Sequence, residues 1–61
     1  MKWVLLKSIS EEVTVVNVIV PGDSGYQSLL ESDGFTVRGE DDNIPVAPGW
    51  KFNAELEAYY E

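Results

Sequence analysis

The 61-residue chain contains neither cysteine nor histidine. Without cysteine there is no disulfide framework and no thiolate metal site. Without histidine the commonest transition-metal ligand and the commonest general base are missing. Cations are scarce as well: Lys2, Lys7, Arg38 and Lys51 stand against eleven acids, giving a net charge of -7. Nucleic acids and anionic membrane surfaces are held by clustered cations, so neither is expected as a partner. No apolar run approaches the ~20 residues of a membrane-spanning helix. Trp3–Leu6 is apolar, but Lys7 ends the run after four residues, short of the about 7–15 residues of a secretory signal core. The expectation is a chain that starts at its own Met and is cytosolic at synthesis.

Sixty-one residues allow a single domain, 1–61. A chain of this size buries only about 60% of its unfolded surface. With no disulfide to help, it needs either a well-packed minimal core or burial against other chains. The second is favoured by the strongest element in the sequence, Val13–Val20 (Val-Thr-Val-Val-Asn-Val-Ile-Val). Six of its eight residues are β-branched aliphatics, which favours a strand over a helix. Simple alternation places Val13, Val15, Asn17 and Ile19 on one face and Thr14, Val16, Val18 and Val20 on the other. A half-exposed strand alternates apolar with polar, whereas this one is apolar on both faces. A short chain hardly covers both sides of a sheet, so one face is expected to meet the chain's own helix and loops or another subunit. On that reading Val16→Asp buries a charge and abolishes folding or assembly. Asn17, polar in mid-strand, either serves a bulge or loop through a specific hydrogen bond or faces solvent at an edge.

The remaining elements follow from local chemistry. Trp3–Lys7 reads as a first strand, Ser8–Glu12 as a turn, and the two runs form a β-hairpin. Pro21-Gly22 stops the second strand. Asp23–Ser32 is the one helix candidate, N-capped by Asp23 or Ser24 and ended by Asp33-Gly34. It is too short to persist alone, so Tyr26, Leu29 and Leu30 should dock on the sheet. Phe35–Arg38 alternates and reads as a third strand. The two prolines of Ile44–Gly49 mark a loop or edge, and Trp50–Phe52 suits a short closing strand. Ala54–Glu61 is compatible with helix or strand. The expected fold is α+β and β-rich: a small antiparallel sheet with an N-terminal hairpin, one short helix and one or two further strands.

No constellation for catalysis emerges. Gly22-Asp23-Ser24-Gly25 matches the string around a serine-protease nucleophile, but that chemistry requires a histidine base, so the string reads as a turn and helix cap. Glu40-Asp41-Asp42-Asn43 offers hard oxygen ligands without the alternation and glycine turn of a calcium loop, so it reads as a solvated acidic turn. Glu11-Glu12 has no cleft to separate two carboxylates into acid and base. The chain is therefore expected not to be an enzyme and to need no cofactor and no metal. Trp3, Phe35, Trp50 and Phe52 are assigned mainly to the core, since each buries a large area. Tyr59 and Tyr60, adjacent near the chain end, suit a partner contact.

Two stretches carry a resemblance. Trp3-Val4-Leu5-Leu6 followed by Val15-Val16-Asn17-Val18-Ile19-Val20 resembles the opening motif of small bacteriophage tail-associated proteins. Ala47-Pro48-Gly49-Trp50-Lys51-Phe52-Asn53 resembles their closing glycine–tryptophan motif, with Asn53 where Asp is usual. The proline-rich end of those proteins is replaced here by Ala54–Glu61. The resemblance implies a non-catalytic virion structural protein, tail or tail-fibre-associated or a capsid decoration. It would be synthesised in the host cytoplasm and repeated in a symmetric assembly beside other virion proteins. Candidate contact residues are Val16, Val18, Val20, Trp50, Tyr59 and Tyr60. The charge alone suggests an alternative, a small acidic regulatory or inhibitory protein bound to a basic host protein surface.

Overall fold

A computed structural model describes residues 1–61. Strands β1 (Lys2–Ile9) and β2 (Glu12–Ile19) form the N-terminal hairpin, followed by helix α1 (Ser24–Ser32), then β3 (Thr36–Glu40), β4 (Lys51–Asn53) and β5 (Ala58–Tyr60). The strands make one antiparallel sheet in the order β3-β1-β2-β4-β5. The fold is thus the expected β-rich α+β type, with β5 as one strand more than the sequence suggested. The hairpin is also longer than Trp3–Lys7 implied. Pairing runs to Ile9↔Glu12, leaving a two-residue turn in which Ser10 and Glu11 have φ of 51° and 72°. Two positive φ values are what the right-handed strand twist requires of such a turn.

The core lies on both faces of β1. Trp3, Val4, Leu5 and Leu6 are all buried, and strand alternation sends them to opposite sides. On one side Trp3 and Leu5 pack with Leu30 of α1, and Ile19, Phe35 and Val37 surround them. On the other side Val4 and Leu6 pack with Val15, beneath Val13, Val18, Val46, Trp50, Phe52 and Tyr59. The sheet curls so that β4, β5 and the preceding loop cover this second face, while the helix covers the first.

A β-bulge makes this arrangement possible. Leu5 pairs with Asn17 but Leu6 pairs with Val15, so Val16 is an extra residue on β2. The extra residue reverses the alternation. Val13, Val15 and Val18 therefore share the inner, curled face, and Ile19 joins the helix face. The two faces assigned by simple alternation are corrected accordingly: β2 is apolar at both parities because its inward parity changes midway. Asn17, beside the bulge, combines the two roles considered for it: it is exposed, and its Oδ1 accepts the Val18 N–H at 2.9 Å.

Helix α1 begins as the sequence indicated, with Asp23 Oδ1 accepting the Tyr26 N–H at 2.8 Å. The Gly-Asp-Ser-Gly string is therefore a helix start. Gly34, with φ of 96°, turns the chain out of the helix as its N–H reaches Glu31 O at 3.0 Å. Of the three residues expected to dock, Leu30 is buried and Tyr26 stacks on Trp3 with ring centroids 6.3 Å apart, but Leu29 is exposed. The nine-residue helix turns that side chain away from the sheet.

Two tests follow from the core and the hairpin turn. Val15 is fully buried whereas Val16, on the bulge, is 40% exposed, so a buried charge arises at Val15 and not at Val16. Urea denaturation should show Val15→Asp unfolded and Val16→Asp still folded. Replacing Ser10-Glu11 by Asn-Gly places favourable residues at positive φ. It should stabilise by about 1 kcal/mol and raise Tm by roughly 4–8 °C in a thermal melt.

Candidate functional site

The two segments that carry the resemblance meet at Val15. Its N–H donates to Trp50 O at 2.7 Å, and its carbonyl accepts the Gly49 N–H at 2.8 Å. Gly49 has φ of 93° with nothing near its missing Cβ, so backbone conformation is what favours glycine there. This turn sets half-buried Trp50 against the core of Val4, Leu6 and Val15. The loop that the prolines predicted thus delivers the tryptophan as a lid over the hairpin.

A second cluster closes the curl. β3 and β5 are the two edges of the sheet, yet their side chains touch. The Tyr59 hydroxyl donates to Glu40 Oε2 at 2.5 Å, and Arg38 Nε donates to the same oxygen at 3.0 Å. The Arg38 guanidinium lies 4.7 Å over the Phe52 ring, and Phe52 and Tyr59 pack at 5.0 Å between centroids. Burial alone would raise the Glu40 carboxyl, but the Tyr59 hydroxyl and the Arg38 guanidinium outweigh it and hold the group below the usual range. Arg38 is held above its ordinary value chiefly by its bond to Glu40. Burial, then Glu40, push the Tyr59 phenol far up, so it remains a protonated donor.

The candidate contact residues divide into two groups. Val18, Trp50 and Tyr59 are partly buried and pack within the chain's own inner core. Val16, Val20 and Tyr60 are exposed, Val20 by 84%. Val15 and Tyr59 point inward, so alternation directs Thr14, Val16 and Tyr60 outward, and Lys51 joins them because it pairs with both Thr14 and Tyr60. On this outward side of β2, β4 and β5 exposed Val16 and Tyr60 flank half-buried Thr14 and Lys51, whose ammonium pairs with Glu12 at 3.3 Å. Leu56, 74% exposed, projects from the β4–β5 turn nearby in sequence. Asn53 Oδ1 organises that turn by accepting the Glu55 and Leu56 N–H groups.

The acidic run separates into three tasks. Glu40 joins the edge cluster, Asp41 Oδ1 accepts the Asn43 N–H at 2.8 Å, and Asp42 pairs with the N-terminal amine at 3.2 Å. The edge cluster escaped the sequence reading. Its detectable signal was opposite charges at Arg38 and Glu40, two apart on a strand and hence on one face. Nothing local indicated that Tyr59 would reach them.

Compared with known proteins, the chain matches no family model, no curated protein and no solved structure.

The edge cluster makes stability depend on acid. Glu40 has a lowered folded-state pKa, so its contribution is present above the unfolded carboxyl value and lost as pH falls through the folded one. Melts should show Tm falling as pH drops below about 4.3, with Glu40→Gln less stable at neutrality and flatter in that window. Tyr59→Phe should cost about 1–2 kcal/mol and move the acid loss to higher pH.

Proposed function

We propose that the chain is a non-catalytic structural protein of a bacteriophage particle, acting through protein–protein contacts. What carries this reading is the outward strip of β2, β4 and β5, where Val16 and Tyr60 stay exposed. The strip lies on the reverse side of the strands whose segments resemble phage tail-associated proteins. In its support, those segments form one hydrogen-bonded unit around Val15. Copies repeated on a symmetric particle would use the strip against other virion proteins. Mass spectrometry of purified particles is the test: the chain should be present in many copies, and its absence overturns the reading. Tyr60→Ser and Val16→Asp should weaken incorporation while changing stability by about 0.5 kcal/mol or less, as surface substitutions do.

One observation favours a second reading, a small acidic regulator of a basic host protein. All four cations are already engaged within the chain, Lys2 with the Asp42 and Ile44 carbonyls, Lys7 over Phe35, Arg38 with Glu40 and Lys51 with Glu12. The acid surplus is therefore left to the surroundings. A host-lysate pull-down should then recover a basic protein at low salt and lose it at high salt.

A further inference from the structure

The curled sheet is unevenly filled along its length. Toward one end Trp50, Val46, Val18 and Tyr59 plug the interior. Toward the other, where Leu6 pairs with Thr36 and Ser8 pairs with Val13, a cup of about 170 Å³ remains. Its apolar walls are Leu6, Val13, Phe52 and Ala54, and its polar ones include Ser8, Thr36 and Arg38. The volume is close to that of the ~150 Å³ enclosed apolar cavity that holds a benzene ring, although this cup is open to solvent on one side.

The electrostatics of the cup run against the rest of the molecule. The chain carries eleven acids, yet none lines it. Lys7 lines it as well, but strand alternation sends its side chain to the other face, where the ammonium lies 5.4 Å over Phe35. Arg38, ion-paired with Glu40 through Nε, is therefore the one charged side chain directed into the cup. A guanidinium has five N–H donors. Glu40 accepts the Nε one, which leaves the four terminal N–H groups for a ligand. Glu40 stands on the far side toward Tyr59 and is not part of the wall. The Ser8 and Thr36 hydroxyls, at the rim, add two further donors.

We propose that this cup binds a compact monocarboxylate of benzoate size. The ring would rest on Leu6, Val13 and Phe52, and the carboxylate would accept from Arg38 with Ser8 and Thr36 at the rim. One guanidinium in a small cup suits a single negative charge on a flat acceptor. Glu40 offsets part of the attraction, which sets the affinity on the order of millimolar for so few ligand atoms.

Amide ¹H–¹⁵N spectra of the full chain test this with three probes: sodium benzoate, benzyl alcohol and benzylamine. Benzoate should shift Leu6, Ser8, Val13 and Thr36 with saturation in the millimolar range. Benzyl alcohol should bind about tenfold more weakly, having lost the charge-assisted bond, and benzylamine should leave these amides unmoved. Thr36→Val should weaken benzoate several-fold. Ala54→Phe, which fills the rim from an exposed turn, should abolish the shifts while the rest of the spectrum is retained. Equal response to the alcohol or the amine overturns the proposal, as do shifts away from the cup, an unsaturated titration, or benzoate binding unchanged in Ala54→Phe.

Discussion

Four consecutive residues of β1, Trp3 to Leu6, are buried alternately on opposite faces of the sheet, and the remainder of the fold answers that demand. Fully burying one such aliphatic side chain stabilises by about 1.5–3 kcal/mol, so leaving either face in water would forfeit a large share of what a small domain has. Covering one face takes the helix, with Leu30 and the Trp3–Tyr26 stack. Covering the other takes the curl of β4 and β5 and the loop that carries Val46 and Trp50. The bulge at Val16 links the two solutions, because it lets β2 send Val13, Val15 and Val18 inward and still give Ile19 to the helix side.

The curl leaves two sheet edges facing one another without a backbone ladder between them. A closed barrel removes its edges by main-chain pairing. Here Arg38, Glu40, Tyr59 and Phe52 make the junction through side chains. Such a junction depends on ionisation in a way that a ladder does not, which is why the acid response concentrates on Glu40. It also closes only one end. Glu40 lies beside Lys2 in register and Thr36 beside Leu6, so the junction seals the Lys2 end, and the cup remains at the Leu6 end. On the hairpin's other flank, β4 pairs with β2 only near Thr14. The Val18 amide beyond that point is taken by Asn17 Oδ1, a local hydrogen bond that withholds it from an intruding strand.

Much of this was legible in the sequence because the signals were local. The Asp23 cap, the Gly34 exit and the Gly49 turn are each decided within a few residues. The hairpin and the closing strand at Trp50–Phe52 also follow from composition and turn chemistry. The face of each β2 residue was not legible, because one extra residue reverses parity and Val13–Val20 reads equally well in either register. The same ambiguity directed attention to β2 as the doubly apolar strand, when β1 is the one buried on both sides. Leu29 looked as dockable as Leu30, yet a helix this short presents only a narrow stripe to the sheet. The contact of Tyr59 with Glu40 spans 19 residues and depends on the curl, which no local pattern encodes.

The division of charge gives the two functional readings opposite physical signatures. With every cation engaged internally, two copies of the chain repel each other at long range, and only apolar contact such as that of Val16 and Tyr60 can bring them together. Added salt screens that repulsion within about a Debye length, ~8 Å at physiological ionic strength, and leaves the apolar term in place, so assembly of copies strengthens. Attraction to a basic surface rests on the same field with the opposite sign and weakens under the same salt. Charge and apolar surface therefore oppose each other in self-assembly and act together toward a basic partner. The salt dependence of association, more than its strength, identifies which surface is in use.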